Sequence, residues 1–411
     1  MSTTQRKQQF GAYLGRLRRD ARLSQRQLAD RLCAASGVAT LTRNEVSRWE
    51  RGVRVPDAWL PALAAVLGAR PETLEAAAAY ARGEAEWRLP GAFATLAELL
   101  PPGDPLERLT GAQGRRIGPD AVAALAGRVH GLRLADDVLA GGDLIVPAFR
   151  ELASAVRLHR ESAYTEPTGR ALLVQIGELA QISGWIASDA GQHAQAEQAY
   201  RLGISAARQA GDGALVANLA GSLAYQLSNT ERELDGLDMA RAAVAEAGPE
   251  APAQTRALFF DRVAWAHAQA GQPQPAMRAL GQAHEALTED GGPEAPAWAY
   301  WVSREELEVM DARVFTELRR PLRAVPLLRS VLARYDATHA RELALYLSWL
   351  AVAYADANEP EEAAATALRM FDLSADMASE RTTERGRVVL RRLAAFDDVP
   401  EVRAVLAEHP G

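Results

Sequence analysis

The sequence has a single cysteine, Cys33, in 411 residues. No intrachain disulfide can form, and a reducing, cytoplasmic compartment is expected. Long uncharged apolar runs are missing as well. No stretch of about 18 such residues occurs, so no membrane-spanning segment is expected. The opening residues MSTTQRKQQF hold no apolar h-region, and no secretory signal is expected from them. No convincing run alternates apolar and polar residues as a half-buried strand does. No Ser/His/Asp grouping, phosphate loop or pair of carboxylates stands in a recognisable frame. The expectation is a non-enzyme without cofactor or bound metal.

What is present is ordinary globular material, 48% hydrophobic and 24% charged, and its length implies two or three domains. The net charge of −7 hides an asymmetry. Residues 1–70 hold 13 Lys and Arg against five Asp and Glu, a surplus of eight, so the remainder carries −15. A basic head on an acidic body is the pattern of a chain whose head alone meets a polyanion. On charge alone a merely solvated basic face accounts for it equally well.

Helical spacing runs from the start. In residues 6–21, Phe10, Leu14 and Leu17 form one apolar stripe. Ser24 is placed to cap QRQLADRL through its hydroxyl, and Thr42 to do the same for RNEVSRWER. Gly52 ends that helix. Pro56 opens the next, with Trp59, Leu60, Leu63, Val66 and Leu67, and Gly68 and Pro71 punctuate before a last short helix to about Arg82. Five short helices are therefore predicted in about 80 residues.

The run LSQRQLADRL…LTRNEVSRWERGVRVP resembles the XRE family, the phage repressor/Cro-like helix-turn-helix proteins. The likeness rests on Leu23-Ser24-Gln25, Leu28-Ala29, Val46, Ser47-Arg48-Trp49-Glu50, Gly52 and the closing Arg54-x-Pro56. It implies that the second motif helix lies in the major groove of double-stranded DNA. By position, Arg43, Asn44, Ser47 and Arg48 are expected at base edges, where Arg suits guanine and Asn suits adenine. Gln25, Thr42, Arg51 and Arg54 are expected at phosphates. Val46 and Trp49, one turn apart, are expected in the core, and Arg18 and Glu50 match the family's buried ion pair. One departure is clear. Residues 33–39 (CAASGVA) read as an insertion of about seven residues between motif helices that usually meet through three or four. A similar insertion marks regulators of high-GC bacteria, and the preference for Arg over Lys fits such a source.

Residues 88–119 are rich in Pro and Gly and read as a connection with one short helix near 93–100. Beyond Pro119 helical patterns resume and repeat. The segment around Gly191 resembles a tetratricopeptide repeat (TPR), with Gly184 and Ala196 at small positions and Tyr200 at an aromatic one. Weaker copies turn near Asn229, with Ser222 and Tyr225, and around Gly271, with Ala264, Ala276, Leu280 and Ala283. Two more turn around Arg319, with Ala312, Phe315, Ala324 and Leu328, and around Asn358, with Ala351, Tyr354 and Ala363. The turns fall 38, 42, 48 and 39 residues apart, against a strict period of about 34. Stacked hairpins of this kind give a superhelix with a concave surface, here expected to be lined by residues 175–188, 256–269 and 343–354.

Several tempting groups have plainer readings. His130, Asp136 and Asp137 match no metal spacing, and Arg133 with Asp136 or Asp137 reads as a tie between helices. Cys33 reads as a small buried hydrophobe rather than a redox sensor. Trp185, Trp265, Trp298, Trp301 and Trp349 read mainly as core, with one or two facing the concavity. The expected fold is all-α: a helix-turn-helix domain at 1–82, a linker at 83–118 and a TPR-like α-solenoid at 119–411. The resemblance implies a sequence-specific transcription regulator, a homodimer on a palindromic operator, whose body responds to a peptide, small-molecule or protein effector. The competing reading is a TPR scaffold whose head serves docking or dimerisation.

Overall fold

The structure is a computed structural model describing residues 3–21, 23–38, 40–69, 71–84, 116–288, 292–334, 340–375, 377 and 379–409. The helix expected near 93–100, and nearly all of the expected linker, lie outside the described residues. The chain divides into two compact units, Met1–Ala94 and Thr95–Gly411. Among the described residues every regular element is helical; the only ladder contact is one isolated bridge, Arg116 with Ala163.

Among its described residues the first unit holds five α-helices: α1 (Thr3–Asp20), α2 (Gln25–Ser36), α3 (Arg43–Glu50), α4 (Leu60–Leu67) and α5 (Pro71–Arg82). Their apolar stripes meet in one core that includes Phe10, Leu14, Leu28, Leu32, Val46, Trp49, Leu63 and Leu74. A reciprocal cap starts α2. The Ser24 hydroxyl accepts the Gln27 N–H at 3.2 Å, and the Gln27 side chain accepts the Ser24 N–H at 2.8 Å. This satisfies two donors that a helix start leaves free. The helix runs on to Ser36 and ends at Gly37 in the left-handed conformation, φ +71°. Thr42 starts α3 with extended backbone, but its hydroxyl makes no capping bond. The capping role expected of that hydroxyl is thus corrected; the Thr42 carbonyl alone takes the first N–H groups, from Glu45 and Val46. Gly52 follows the end of α3 with φ +72°, and a Cβ there would lie 2.5 Å from the Gln8 backbone. Only glycine allows both the turn and that approach to α1.

The second unit opens with α6 (Pro119–Asp136) and α7 (Gly141–Glu161). Five helical hairpins follow: α8 (Glu166–Asp189) with α9 (His193–Ala210), α10 (Gly213–Ser228) with α11 (Glu233–Ala247), α12 (Ala253–Gln269) with α13 (Pro273–Leu287), α14 (Arg304–Glu317) with α15 (Pro321–Arg334), and α16 (Ala340–Asp356) with α17 (Pro360–Ser374). The chain ends with α18 (Glu380–Leu393) and α19 (Pro400–Glu408). Each hairpin turn contains one left-handed residue: Gly191, Glu231, Gly271, Arg319 and Asn358. Four stand where the sequence places the turn; the weakest copy turns at Glu231, two residues beyond Asn229. Small residues set the spacing within hairpins. A Cβ on Gly184 would lie 2.5 Å from the Tyr200 ring, which fills that space instead.

The first helices of the hairpins touch one another in the order α8, α10, α12, α14, α16, then α18, and α18 returns to α8. The hairpins stack in the solenoid-like way that the repeat pattern implies, and their inner helices close into a ring. Long-range polar contacts fasten the closure. Arg341 on α16, only 4% exposed, donates to the Asp136 carboxylate at 3.2 Å, to the Asp136 carbonyl at 2.6 Å and to the Leu139 carbonyl at 2.9 Å. The Ser379 hydroxyl, which caps α18, also donates to Asp189 at the end of α8 at 3.0 Å. These contacts join residues 205 and 190 positions apart.

Candidate nucleic-acid interface and internal cavity

In the first unit, the structure places Val46 and Trp49 of α3 in the core and turns the opposite face of the helix outward. Arg43 opens α3 and is exposed, as are Asn44, Arg48 and Arg51; Ser47 is half-buried between them. Helical spacing sets Asn44, Arg48 and Arg51 on the face away from the core. Arg48 pairs with Glu45 at 3.0 Å, and the Arg51 Nε donates to the Ser47 carbonyl at 3.2 Å. Both are exposed contacts of the kind worth little in water, so both guanidiniums are cheaply released. Thr42 and Arg54 flank the helix and are exposed.

Behind this face lies the ion pair of Arg18 and Glu50, at 2.6 Å with side chains 12% and 11% exposed. Arg18 also donates to the Leu23 carbonyl at 2.6 Å, tying α1 to the loop before α2. Gln25 donates to the same Glu50 carboxylate at 2.7 Å. Part of the Gln25 amide is thus spent inside the protein. Glu50 gathers α1, α2 and α3 on one carboxylate, which fixes the angle of the two motif helices despite the insertion. Cys33 in that insertion is half-buried, its thiol 3.6 Å from the Leu41 carbonyl.

In the second unit the inner helices line a cavity of about 730 Å³ that is open to solvent. The segments expected to line a groove do contribute, through Trp185, Arg262, Gln269, Tyr346 and Trp349 among others. More tryptophans face it than the sequence implies: Trp185, Trp298, Trp301 and Trp349 line it, and Trp265 is core. An aromatic chain crosses four inner helices. Trp185 stacks on Tyr225 at 5.7 Å, Tyr225 meets Trp265 at 5.9 Å, and Trp265 meets Trp349 edge-on at 5.5 Å.

Arginines stand over these rings. Arg262 lies 4.5 Å from the Tyr225 ring centre, Arg313 4.9 Å from Trp265, Arg381 5.2 Å from Trp185 and Arg385 3.5 Å from Trp349. Of the four, Arg262 alone lies in a segment expected to line the groove; Arg313, Arg381 and Arg385 do not. A signal was available in the repeat phase. Trp185, Tyr225, Trp265, Arg313 and Val352 each stand six residues before a left-handed turn residue, and Ile182, Ser222, Arg262, Met310 and Trp349 nine before. These two positions, one turn apart, form the inner face of each hairpin.

The electrostatics are unusual. Burial pushes Arg385 down to about 10, and lowers Arg262 as well. Burial alone would push the Tyr225 phenol up, yet Arg313, Arg381 and Arg262 together hold it below its ordinary value. Burial also raises Asp261 to about 6 and Glu306 to about 7; Tyr346 donates to Glu306 at 3.2 Å. At the ring closure, burial outweighs Arg341 and lifts Asp136 to about 6. Arg341 itself is raised, because Asp136, Glu342 and Asp189 together outweigh its burial. One cation there serves three carboxylates. Arg133 ties α6 to α8 through Glu178 at 2.8 Å, and Asp137 accepts from Tyr300 at 2.9 Å. Arg133, Asp136 and Asp137 are thus all ties between segments of the body, though not to one another.

The first unit is a helix-turn-helix domain. Residues 9–77 match the family described as a helix-turn-helix domain, which covers the head and none of the ring. Comparison with curated proteins and with solved structures returned no match. Among the described residues no helix is long and apolar enough to cross a membrane.

Proposed function

We propose that this protein is a sequence-specific DNA-binding transcription regulator of the XRE type, cytoplasmic and without enzymatic activity. The observation that carries the proposal is the outward face of α3. Arg43, Asn44 and Arg48 project from a helix whose other face is locked into the core by Val46 and Trp49. In the major groove that face would meet base edges, with Ser47 close behind. Thr42, Arg51 and Arg54 would meet phosphates and set the register. Gln25 would add its remaining N–H, since Glu50 holds the other.

One small head buries too little surface for tight specific binding. We therefore infer a homodimer on a palindromic site, its half-sites about 34 Å or a multiple apart. The TPR-like body is the inferred dimer interface, because two basic heads repel one another. It is also the inferred site of an effector, since a ring of hairpins around a cavity is more than dimerisation requires.

The test is a mobility-shift series over salt with DNA selected by the full chain. A regulator loses affinity linearly on a log–log plot, by about 0.9 log units for each phosphate neutralised, and keeps its sequence preference. Weak binding with no preference would favour a scaffold whose head serves docking. Light scattering of the full chain checks the dimer.

A further inference from the structure

Among the described residues the cavity of the second unit is lined by seven arginines and nine carboxylates, and three of the arginines stand apart from the acids. Arg262, Arg313 and Arg385 form no ion pair among the described residues. What holds them is aromatic: Arg262 over Tyr225, Arg313 between Tyr225, Trp265 and Trp349, and Arg385 over Trp349. An aromatic face attracts a cation without removing its charge. The rings thus fix the guanidiniums while leaving their net charge to act on the space in front of them.

Their hydrogen-bonding capacity is also unspent. Arg313 donates to the Tyr225 hydroxyl and Arg385 to the Ser348 hydroxyl at 3.1 Å. Among the described residues the buried Arg313 Nε and Arg385 Nη2 have no hydrogen-bond partner. Buried donors of a charged group are costly to leave unmade, so two on facing helices, α14 and α18, call for an acceptor. Arg262, 7% exposed, adds a third guanidinium from α12. The depressed Tyr225 phenol reports the same excess of positive potential.

The opposing carboxylates divide into two sets. Glu231, Glu317, Glu380 and Glu384 are exposed, and Glu380 and Glu384 already pair with Arg387. The others are at least half-buried: Asp136 and Glu342 are taken up by Arg341, Asp261 lies next to Arg262, and burial keeps the Glu306 carboxyl largely protonated below about pH 7. The volume, about 730 Å³, is in the range that small-molecule sites occupy.

We propose that the ring binds a small anion carrying carboxylate or phosphate groups, held by the guanidiniums of Arg313 and Arg385 with Arg262 behind them. Planar guanidiniums suit both groups through paired N–H···O bonds. The anion supplies the acceptors that the buried donors lack and bridges α12, α14 and α18. It is an effector for the regulator proposed above and rests on the effector part of that reading. Its test needs no DNA, so its failure would leave the DNA-binding reading standing.

The experiment is thermal unfolding and tryptophan-fluorescence titration of the full chain with pyrophosphate and, separately, with citrate, at constant ionic strength in chloride. Ligand binding to the folded state raises Tm with the logarithm of ligand concentration above Kd, while the fluorescence signal follows occupancy and saturates. The expected result is a saturable response to at least one anion. Arg385→Gln should weaken it about tenfold or more, and Arg48→Ala, in the head, should leave it unchanged. Response to citrate alone assigns a carboxylate, and response to pyrophosphate alone assigns a phosphate. Arg385→Gln should raise Tm without ligand, because it removes a buried unpaired cation; a merely structural arginine would lower it. Should that variant lose helicity, Arg313→Lys, which keeps the charge and loses the fork, should weaken binding while retaining helix content. No saturable response to either anion overturns the proposal. So does a response of undiminished affinity in Arg385→Gln or Arg313→Lys, or one that vanishes in Arg48→Ala.

Discussion

Two regions of this molecule use arginine in opposite ways. On α3 the guanidiniums are exposed, hydrated and weakly engaged: Arg48 with Glu45, Arg51 with a carbonyl. In the ring they are half-buried or buried, stacked on aromatic faces, and three have no carboxylate partner. The first arrangement suits a large polyanion approached from water, where each contact is modest and many add up. The second suits a small anion, because attraction between charges grows as the surrounding dielectric falls. The same contrast appears in the structural ion pairs. Arg18 and Glu50 in the head are one cation to one anion. Arg341 in the ring serves Asp136, Asp189 and Glu342.

The largest expected effect tests that last contrast. Arg341→Met leaves Asp136 buried without its paired cation and Asp189 with Arg381 alone, and should destabilise the body by about 3–5 kcal/mol. Arg18→Met in the head should cost less, about 1.5–3 kcal/mol. Denaturant unfolding followed by circular dichroism compares the two. Equal losses would mean that the ring closure carries no special weight.

Next come the base-facing side chains. Arg43→Ala, Asn44→Ala and Arg48→Ala should each cost about 1–3 kcal/mol of specific DNA binding and relax preference at one or two base pairs. Arg54→Ala should weaken all sequences alike. Binding-site selection with each variant checks this. If all three helix variants keep the original preference, α3 does not read the bases.

A third test uses pH. Glu306, Asp261 and Asp136 have folded pKa values raised by burial to about 7, 6 and 6. The folded state then binds protons that the unfolded state has released. The stability these groups contribute is full below their unfolded values and lost as pH rises through the folded ones. The body should therefore weaken between about pH 4 and 7. Glu306 is faced by Arg313, Tyr346, Asp261 and Glu342, and Glu306→Gln should remove the upper part of the slope. Tm measured from pH 5 to 8 in both proteins decides it; identical slopes would show that Glu306 does not titrate in this range.

The smallest effect concerns the hairpin turns. Gly191 and Gly271 take positive φ freely, whereas Arg319 takes φ +52° with a side chain. Arg319→Gly relieves about 1–2 kcal/mol of strain and loses part of that to chain entropy, so a gain of up to about 1 kcal/mol is expected. A loss of stability would mean that the Arg319 side chain holds the turn.

Much of the head was legible because its signals are local. Apolar spacing, the Ser24 cap, Gly52 and the run from Ser47 to Glu50 each act within a turn or two of helix. The expected cap by the Thr42 hydroxyl failed because a suitable residue at the right position need not adopt the rotamer that caps. In the body, the turns at 191, 271, 319 and 358 were legible for the same local reason, and they fix which residues face inward. The arginine cluster was only half legible: hairpin phase turns Arg262 and Arg313 inward, but Arg385 comes from α18, outside the repeats, and no local pattern marks it as their neighbour.

By itself, then, the sequence determined an all-helical chain, a basic head built as a helix-turn-helix, and the phase of five hairpins. Tertiary structure alone decided that the hairpins close into a ring. That closure rests on contacts such as Arg341 with Asp136 and Ser379 with Asp189, between residues 205 and 190 positions apart. Periodicity fixes which face of a helix is buried. The small rotation between successive hairpins, summed around the ring, decides whether the last meets the first, and that sum depends on side-chain packing at every interface at once.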